Sequence, residues 1–291
     1  MSAERIDLYF GLIDAVDTPQ VYQTCLATLS SAERQRAACF VFEHHRRQYI
    51  FAHGLLRIAL SNFMPDVEPS DWCFTANRYG RPFISAPTIQ KRVYFSLSRT
   101  EGCVACAVSG CEAVGVDVEL VRQRHSLFEI ARGSFSPEEI DALRNLQPET
   151  LVDRFFDYWT LKEAYLKARS TGLNSSLDRF SILISSSHKI GVRFAPGAAD
   201  DPRRWHFFKI SPSPRHRLAV ADGSGLTDGL PIVIQRWPYL KYNPRDETHF
   251  RREVDGHHDR TAPPNLSTTV LTNGEIPINR EARGFRQTRE R

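Results

Sequence analysis

The sequence predicts an α+β fold in which two similar α+β halves, related by a pseudo-twofold axis, precede a polar C-terminal tail. Helical periodicity and short strand-like runs alternate twice along the chain, and each long helix precedes a pair of strands. The segment 95–110 also aligns without a gap to the segment 208–223. The matched residues include Phe95 with Phe208, Ser98 with Ser211, and Gly110 with Gly223. Two hairpins can also share composition by chance, so the sequence leaves open whether this repeat reflects a duplication.

The composition is that of an ordinary globular chain. Of its 291 residues, 41% are hydrophobic and 25% are charged, which is typical of a protein that buries a core. The net charge of +4 is mild and the basic residues are scattered among acids, which favours acidic or phosphorylated partners and does not indicate nucleic acid. No apolar stretch reaches the roughly 20 residues of a membrane span, and the N-terminus lacks a signal-peptide core, so we expect a cytoplasmic protein.

The six cysteines lie mostly in apolar contexts, which indicates reduced packing residues and not a disulfide framework. The spacing of Cys103, Cys106 and Cys111 invites a zinc interpretation. Their segment has the pattern of a strand, however, and residues three apart on a strand point to opposite faces. We therefore expect no zinc site there.

The first half is predicted to cover residues 1–111. It begins with a strand at 6–13, followed by a helical region that starts with Ser31 as its N-cap and continues to residue 63. Further strands are expected at 71–76, 93–98 and 103–109.

The second half is predicted to cover residues 112–238. Its helices are expected at 126–135, directly after Ser136, and at 151–169. Its strands are expected at 113–119, 179–185, 204–210, 217–221 and 231–236. The remaining residues, 239–291, are rich in Arg, Asp, Asn, Pro and Thr and poor in aromatics, so we expect a largely disordered tail.

The first chemical motif is GVDVE at residues 115–119. On a strand, Asp117 and Glu119 share one face, at a backbone separation of about 6–7 Å. Two such carboxylates repel each other unless a positive charge compensates, and Mg²⁺ held by carboxylates and a substrate phosphate is a common compensator. A strand with a solvated acidic face has the same pattern, so this motif alone leaves a metal site open.

The second motif is WTLKEAYLK at residues 159–167. Glu163 and Lys167 are four residues apart on a predicted helix, in the favourable acid-before-base order. An ordinary surface salt bridge would explain this spacing. A carboxylate that completes a metal site, beside Lys162 and Lys167 as neutralisers of phosphate, would explain it as well.

The two motifs and their spacing resemble the paired signature of the 4'-phosphopantetheinyl transferases. The likeness extends to an Arg-rich helical region, a YGRP turn and an FSLS strand, and it covers residues 5–237. The length is closer to the large two-halved, surfactin-synthetase-activating type, which acts on carriers of polyketide, nonribosomal peptide and fatty acid synthesis, than to the short trimeric holo-synthases.

This resemblance implies transfer of the 4'-phosphopantetheine arm of coenzyme A to a serine hydroxyl of an acyl or peptidyl carrier protein. The reaction releases 3',5'-ADP and requires Mg²⁺. The resemblance also implies a monomer, because two fused halves build the cleft within one chain.

The resemblance assigns roles to the acids and lysines of the two motifs. The residues that match the metal-binding acids of the family are Asp117, Glu119 and Glu163. Lys167 matches the lysine that contacts a coenzyme A phosphate and assists the leaving group. Glu163, directly or through water, is the implied base for the serine proton, and Glu139 matches an acid that would assist the metal or the base.

Coenzyme A has a 3'-phosphate and a pyrophosphate, so the resemblance implies several cationic contacts. The arginines near basic positions of the family are Arg36, Arg46, Arg47 and Arg81, and the lysines Lys162 and Lys167 add to them. Ser98 matches a serine whose hydroxyl or backbone contacts coenzyme A. Each of these arginines would equally fit a solvated surface charge.

One position departs from the family pattern, because Ser98-Arg99 stands where the family has Ser-His. Arginine keeps the positive charge, changes its reach and removes titration near neutral pH. The chain can therefore be an active transferase with altered coenzyme A affinity, or a non-catalytic or weakened coenzyme A binding paralogue. A divalent-metal phosphohydrolase would use the same acids but needs a water-activating group that the sequence does not show. The retained metal and phosphate-transfer positions favour the active transferase.

A carrier-protein helix docks between the two halves in this family. Leu127, Phe128 and Phe135 are candidate contacts for it, and ordinary core packing explains each of them equally well.

Overall fold

The computed structural model shows a mixed α+β chain. It describes residues 4–123, 126–169, 176–185, 189–195, 197, 200–237 and 269–271. Within these ranges, no helix is both long and apolar enough to cross a membrane. The expectation of a disordered tail falls mainly on residues outside the described ones.

Nine α-helices and β-strands precede residue 111 in the described chain. They are β1 (Ile6–Leu12), α1 (Ile13–Val16), α2 (Pro19–Thr28), α3 (Ser31–Ala38), α4 (Glu43–Phe63), β2 (Cys73–Ala76), β3 (Pro82–Ala86), β4 (Tyr94–Thr100) and β5 (Cys103–Ser109). The elements that follow are β6 (Val114–Leu120), α5 (Leu127–Ser134), α6 (Pro137–Arg144), α7 (Pro148–Ala168), β7 (Phe180–Ile184), β8 (Ile190–Phe194), β9 (His206–Ile210), β10 (His216–Asp222), β11 (Ile232–Arg236) and β12 (Thr269–Leu271).

The two halves repeat one topology. In the first sheet β5 lies between β1 and β4, and in the second β10 lies between β6 and β9, so the strand order is the same. Each half also has a long helix and a separate two-stranded sheet, β2-β3 or β7-β8. The gapless repeat does not hold across the hairpin loops, because Phe95 pairs with Val108 whereas Phe208 pairs with Val220 and not with Ala221.

The chain returns to the first sheet at its end. β11 lies within the range predicted for the second half, yet it pairs in parallel with β1 at the edge of the first sheet, and β12 pairs with β11. Trp237 then packs against Phe51 of α4, with 5.6 Å between ring centroids. The first sheet is therefore completed by a strand from the far end of the chain.

The core is arranged in four layers. The two sheets face each other through apolar side chains such as Leu8 and Ala105 from the first sheet and Val116 and Val118 from the second. α4 covers the outer face of the first sheet and α7 covers the outer face of the second. The outer face of β6, which bears the odd-numbered residues of GVDVE, therefore lies under α7.

The helical region at the start of the first half differs from its prediction. Ser30, and not Ser31, is the N-cap of α3, because the side chain of Ser30 accepts from the N–H of Glu33 while Glu33 accepts from the N–H of Ser30. The helix also does not continue to residue 63 without a break, since α3 ends at Ala38 and α4 begins at Glu43. Five elements were not predicted from the sequence: α1, α2, β3, β8 and β12, of which β12 lies within the tail that was expected to be disordered.

Candidate active site

The close approach of α7 to β6 brings the two motifs together. A β-carbon on Gly115 would lie 2.0 Å from the carbonyl oxygen of Ala164 and 2.7 Å from the backbone nitrogen of Ala168, so only glycine fits beneath the helix. Two residues further along β6, Asp117 points to the same face. The packing of Gly115 therefore sets Glu163 and Lys167 of α7 beside the acids of β6.

Asp117 is the centre of this cluster. It is 4% exposed, and its Oδ1 accepts from Nζ of Lys167 at 2.7 Å and from the hydroxyl of Ser98 at 2.8 Å. Lys167 also donates to the oxygen of Ser98 at 3.0 Å. The other carboxylate oxygen, Oδ2, is buried and has no hydrogen-bond partner among the described residues. A buried charged acceptor without a partner is costly, so this oxygen indicates space for a positive ligand.

Glu163 lies within the field of the same carboxylate. Its pKa is raised, first by partial burial and then by the negative charge of Asp117, while the charge of Lys167 opposes the shift. Lys167 forms its ion pair with Asp117 and not the helical salt bridge with Glu163 that the spacing also allowed. Two acids that repel each other beside one lysine are the electrostatic environment that a divalent cation stabilises.

Glu119 completes the row of acids on β6 and is half-buried. Its Oε2 accepts from the hydroxyl of Thr100, at 3.3 Å, on the neighbouring strand β4. Across the other edge of β6, Glu119 lies opposite Arg217 of β10, which itself forms an ion pair with Asp153 of α7.

The residues present fit a hard divalent cation. Within the described chain, no three acids, histidines or cysteines already stand close enough to form a metal-binding group. The unpartnered oxygen of Asp117 and the charge repulsion felt by Glu163 nevertheless fit Mg²⁺, which prefers one or two carboxylates and completes its shell with substrate oxygens.

Three of the predicted cationic residues are positioned in the first half near β4. The guanidinium of Arg81 donates to the carbonyls of Phe95 and Val114 at 3.5 and 3.4 Å, and burial lowers its pKa. Arg99 lies on the face of β4 opposite Ser98, with its guanidinium carbon 5.9 Å from the ring centroid of Tyr49. Burial lowers the pKa of Arg99, and the charge of Arg36 on α3 lowers it further.

Lys162 is not brought to this cluster. Its side chain is 0% exposed, and its Nζ lies 2.7 Å from Oε2 of Glu139 and donates to the carbonyls of Leu177 and Phe180. Glu139 also accepts from the N–H of Ile182 and of Ser136, as part of the capping box of α6. This burial does not support a coenzyme A contact for Lys162 or a metal-assisting role for Glu139, because both charges are used inside the second half.

Arg46 and Arg47 also have internal partners. Arg47 forms ion pairs with Asp17 and Glu43 and stacks over the ring of Tyr22, at 4.5 Å from its centroid. Arg46 lies 3.1 Å from Glu43 and donates to the carbonyl of Phe40. These contacts direct both arginines to the α2 and α3 side of α4.

The hydroxyl of Ser98 is buried and forms hydrogen bonds within the protein. It donates to Asp117 and accepts from Lys167 and from the N–H of Val118, at 3.2 Å, so its hydrogen-bonding capacity is used. Of the expected carrier contacts, Leu127 and Phe135 are buried in the second core, at 6% and 2% exposure. Their burial favours the core-packing alternative for both residues.

Sequence reasoning missed two residues that organise the site. Gly115 was recognised only as part of a motif, although its glycine permits the contact with α7. Thr100 has no chemical motif of its own, and its contact with Glu119 joins residues 19 apart on two different sheets. A hydroxyl at every second position of FSLSRT was the one available signal.

Comparison with known proteins finds similar sequences. The profile of the 4'-phosphopantetheinyl transferase superfamily matches residues 113–221, which include both motifs. The chain is 33% identical over 199 residues to the 4'-phosphopantetheinyl transferase HetI of Nostoc sp. (strain PCC 7120), covering 68% of this chain and 80% of that protein. It is 25% identical over 167 residues to the 4'-phosphopantetheinyl transferase Sfp of Bacillus subtilis (strain 168), covering 57% of this chain and 71% of that one.

Among solved structures, the holo-[acyl-carrier-protein] synthase of Thermotoga maritima is 22% identical over 37% of this chain and 60% of its own. Its TM-score of 0.30 is too low to support an argument about the fold. The similarity to HetI extends over two thirds of each chain and includes both motifs. The protein is therefore an enzyme of the 4'-phosphopantetheinyl transferase superfamily.

Proposed function

We propose that the protein transfers the 4'-phosphopantetheine arm of coenzyme A to a serine hydroxyl of an acyl or peptidyl carrier protein, with Mg²⁺, and releases 3',5'-ADP. Membership of the superfamily supports the transfer itself. The observation that supports the site is the buried, unpartnered Oδ2 of Asp117 beside the destabilised carboxylate of Glu163.

Asp117, Glu119 and Glu163 would hold the magnesium ion. Bound there, the ion supplies charge neutralisation for the pyrophosphate of coenzyme A. The acids provide the oxygen ligands that Mg²⁺ prefers, and β6 and α7 hold them on rigid elements.

Glu163 is the proposed acceptor of the serine proton. The serine oxygen forms a bond to the β-phosphorus of coenzyme A, the bond from that phosphorus to the oxygen of 3',5'-ADP breaks, and the serine proton moves to the Glu163 carboxylate. The step leaves the phosphopantetheine group on the serine oxygen and the proton on the carboxylate.

Lys167 provides the mobile positive charge. Its side chain is 32% exposed, so its ammonium can leave Asp117 and reach a phosphate oxygen at the mouth of the cluster. There it would stabilise the charge that develops on the leaving 3',5'-ADP.

Arg81, Arg99 and Arg36 are the proposed contacts for the phosphates of coenzyme A in the first half. Arg99 takes the place of the family histidine and keeps a permanent charge beside Tyr49. The mild net charge of +4 is compatible with an acidic carrier, and both halves belong to one chain, so we propose that the enzyme works as a monomer.

The test is the intact mass of an apo carrier protein after incubation with the enzyme, coenzyme A and Mg²⁺. We expect a mass increase equal to one phosphopantetheine group, together with stoichiometric 3',5'-ADP. Glu163→Ala is expected to abolish the increase, while Glu149→Ala, an exposed acid in the first turn of the same helix, is the matched control that keeps it. Coenzyme A binding without modification of any carrier class would contradict the proposal and indicate the non-catalytic binding protein.

A further inference from the structure

Three hydroxyl groups connect the edge strand of the first sheet to the edge strand of the second. β4 and β6 belong to different sheets, and each leaves backbone N–H groups without a strand partner at its edge. Side-chain oxygens of β4 accept alternate N–H groups of β6 instead. The pairs of this seam ladder are Val116 N–H to Ser96 at 3.0 Å, Val118 N–H to Ser98 at 3.2 Å, and Leu120 N–H to Thr100 at 3.2 Å.

The seam ladder also determines where the hydroxyl protons point. A hydroxyl that accepts an N–H through a lone pair still has its single proton to donate. Ser98 donates this proton to Asp117 at 2.8 Å, and Thr100 donates it to Glu119 at 3.3 Å. The backbone of β6 thus fixes each hydroxyl, and the hydroxyl in turn holds the acid that precedes the N–H in sequence.

Thr100 is further fixed from the first half. Its carbonyl accepts from the side-chain amide of Gln48, which is 8% exposed on α4. The turn that follows is held as well, because the ring of His216 bonds to the carbonyl of Glu101 at 2.9 Å. Threonine is also branched at its β-carbon, which restricts the rotation of its hydroxyl group.

We propose that Thr100 is a positioning residue that orients Glu119 towards Asp117 for binding of a divalent cation, an inference that rests on the proposed function. Ser96 is its internal control. Ser96 makes the same kind of hydrogen bond to β6, but the corresponding position on β6 is Gly115, which offers no carboxylate. A purely structural ladder would make Ser96 and Thr100 equivalent, whereas a positioning role separates them.

The experiment measures Mn²⁺ binding to the full-length protein by titration calorimetry, without coenzyme A, together with the thermal unfolding midpoint. Thr100→Val keeps the shape and removes the hydroxyl, and we expect it to raise the Mn²⁺ dissociation constant about tenfold. Thr100→Ser restores the hydroxyl and should stay within about twofold of the unaltered protein. Ser96→Ala should lower the unfolding midpoint and leave the dissociation constant unchanged.

The outcomes separate this inference from the proposed function. If the unaltered protein and Glu119→Gln both fail to bind Mn²⁺, the proposed metal site is overturned, and the role of Thr100 with it. If Glu119→Gln weakens binding while Thr100→Val does not, or if Ser96→Ala weakens it equally, only the positioning role is overturned. Should Thr100→Val fail to fold, the contrast between Thr100→Ala and Thr100→Ser provides the same comparison.

Discussion

Lys167 of α7 donates to Asp117 of β6, with 2.7 Å between Nζ and Oδ1. This bond joins the two sequence motifs where the helix packs on the strand, and it places a partly exposed ammonium group on one oxygen of a carboxylate whose other oxygen has no partner among the described residues. The Lys167–Asp117 ion pair should therefore affect both the stability of the metal-free enzyme and the binding of a cation at Asp117.

Lys167→Met should destabilise the metal-free protein by about 1–3 kcal/mol, because it leaves the buried carboxylate of Asp117 without its cation. Saturating Mg²⁺ should recover most of this loss by replacing the missing charge. The rate of transfer should still fall about a hundredfold, since the leaving group loses a charged donor. Denaturant unfolding with and without Mg²⁺, with Lys189→Met as an exposed-lysine control, measures the effect. If Mg²⁺ leaves the stability loss of Lys167→Met unchanged, the metal ion does not replace the charge of Lys167 at Asp117.

Gly115→Ala should separate α7 from β6. Its added methyl group would overlap the carbonyl of Ala164, so we expect a loss of about 1–3 kcal/mol in the free energy of unfolding and a larger proportional loss of activity. Gly191→Ala is the matched control, since a β-carbon there has no neighbour within 4 Å. Urea unfolding and carrier-modification rates of both variants check this. If Gly115→Ala and Gly191→Ala lose equal stability and equal activity, the close packing of α7 on β6 at Gly115 does not position the site.

Glu163→Gln should stabilise the metal-free enzyme at neutral pH. The pKa of Glu163 is raised in the folded state by burial and by Asp117, so between the unfolded and folded pKa values the folded protein binds more protons. Stability therefore falls as the pH rises through this window, and the cost is fully present above the folded pKa. Glutamine carries no charge and so removes the cost of ionising Glu163. The loss of the carboxylate also removes the stabilisation by Mg²⁺. Thermal unfolding from pH 4 to pH 8, with and without Mg²⁺, tests both statements, with Glu149→Gln as the control. A lower midpoint for Glu163→Gln at pH 8 without Mg²⁺ would refute them.

Arg99→His should make coenzyme A binding depend on pH near neutrality. Burial lowers the pKa of Arg99, but a guanidinium stays protonated throughout this range, so the unaltered enzyme should show no titration from this residue. A histidine loses its charge near its ordinary pKa of about 6.5, so the KM for coenzyme A should rise between pH 6 and 8 in the variant. The KM profile of each protein is the measurement, and parallel profiles would exclude a contact between Arg99 and a phosphate.

Much of the site follows from local periodicity. The two-residue period of a strand sets Asp117 and Glu119 on one face, and helical spacing sets Glu163 and Lys167 on one side of α7. The burial of Lys162 was not predicted. Adjacent helical residues are about 100° apart, so Lys162 and Glu163 point to different sides of α7, and the neighbours Leu161 and Tyr165 of Lys162 are apolar. The helical pattern therefore indicated that Lys162 is buried.

Other features depend on contacts between distant segments. The role of Thr100 depends on how the edge of one sheet meets the edge of another, which no local pattern encodes. The parallel pairing of β11 with β1 joins the end of the second half to the start of the first. No spacing in the sequence predicts the register of this pairing. The hairpin repeat indicated two halves correctly but missed the shift of one residue between their loops.

The most direct test of the proposed metal site is a crystal structure with coenzyme A and Mn²⁺, in which anomalous scattering locates the metal. We expect one strong peak at about 2.1 Å from Oδ2 of Asp117, with Glu119 and Glu163 as the other carboxylate ligands and Lys167 moved towards a phosphate. A metal bound away from Asp117, with Lys167 still paired to it, would contradict the assignment of these acids.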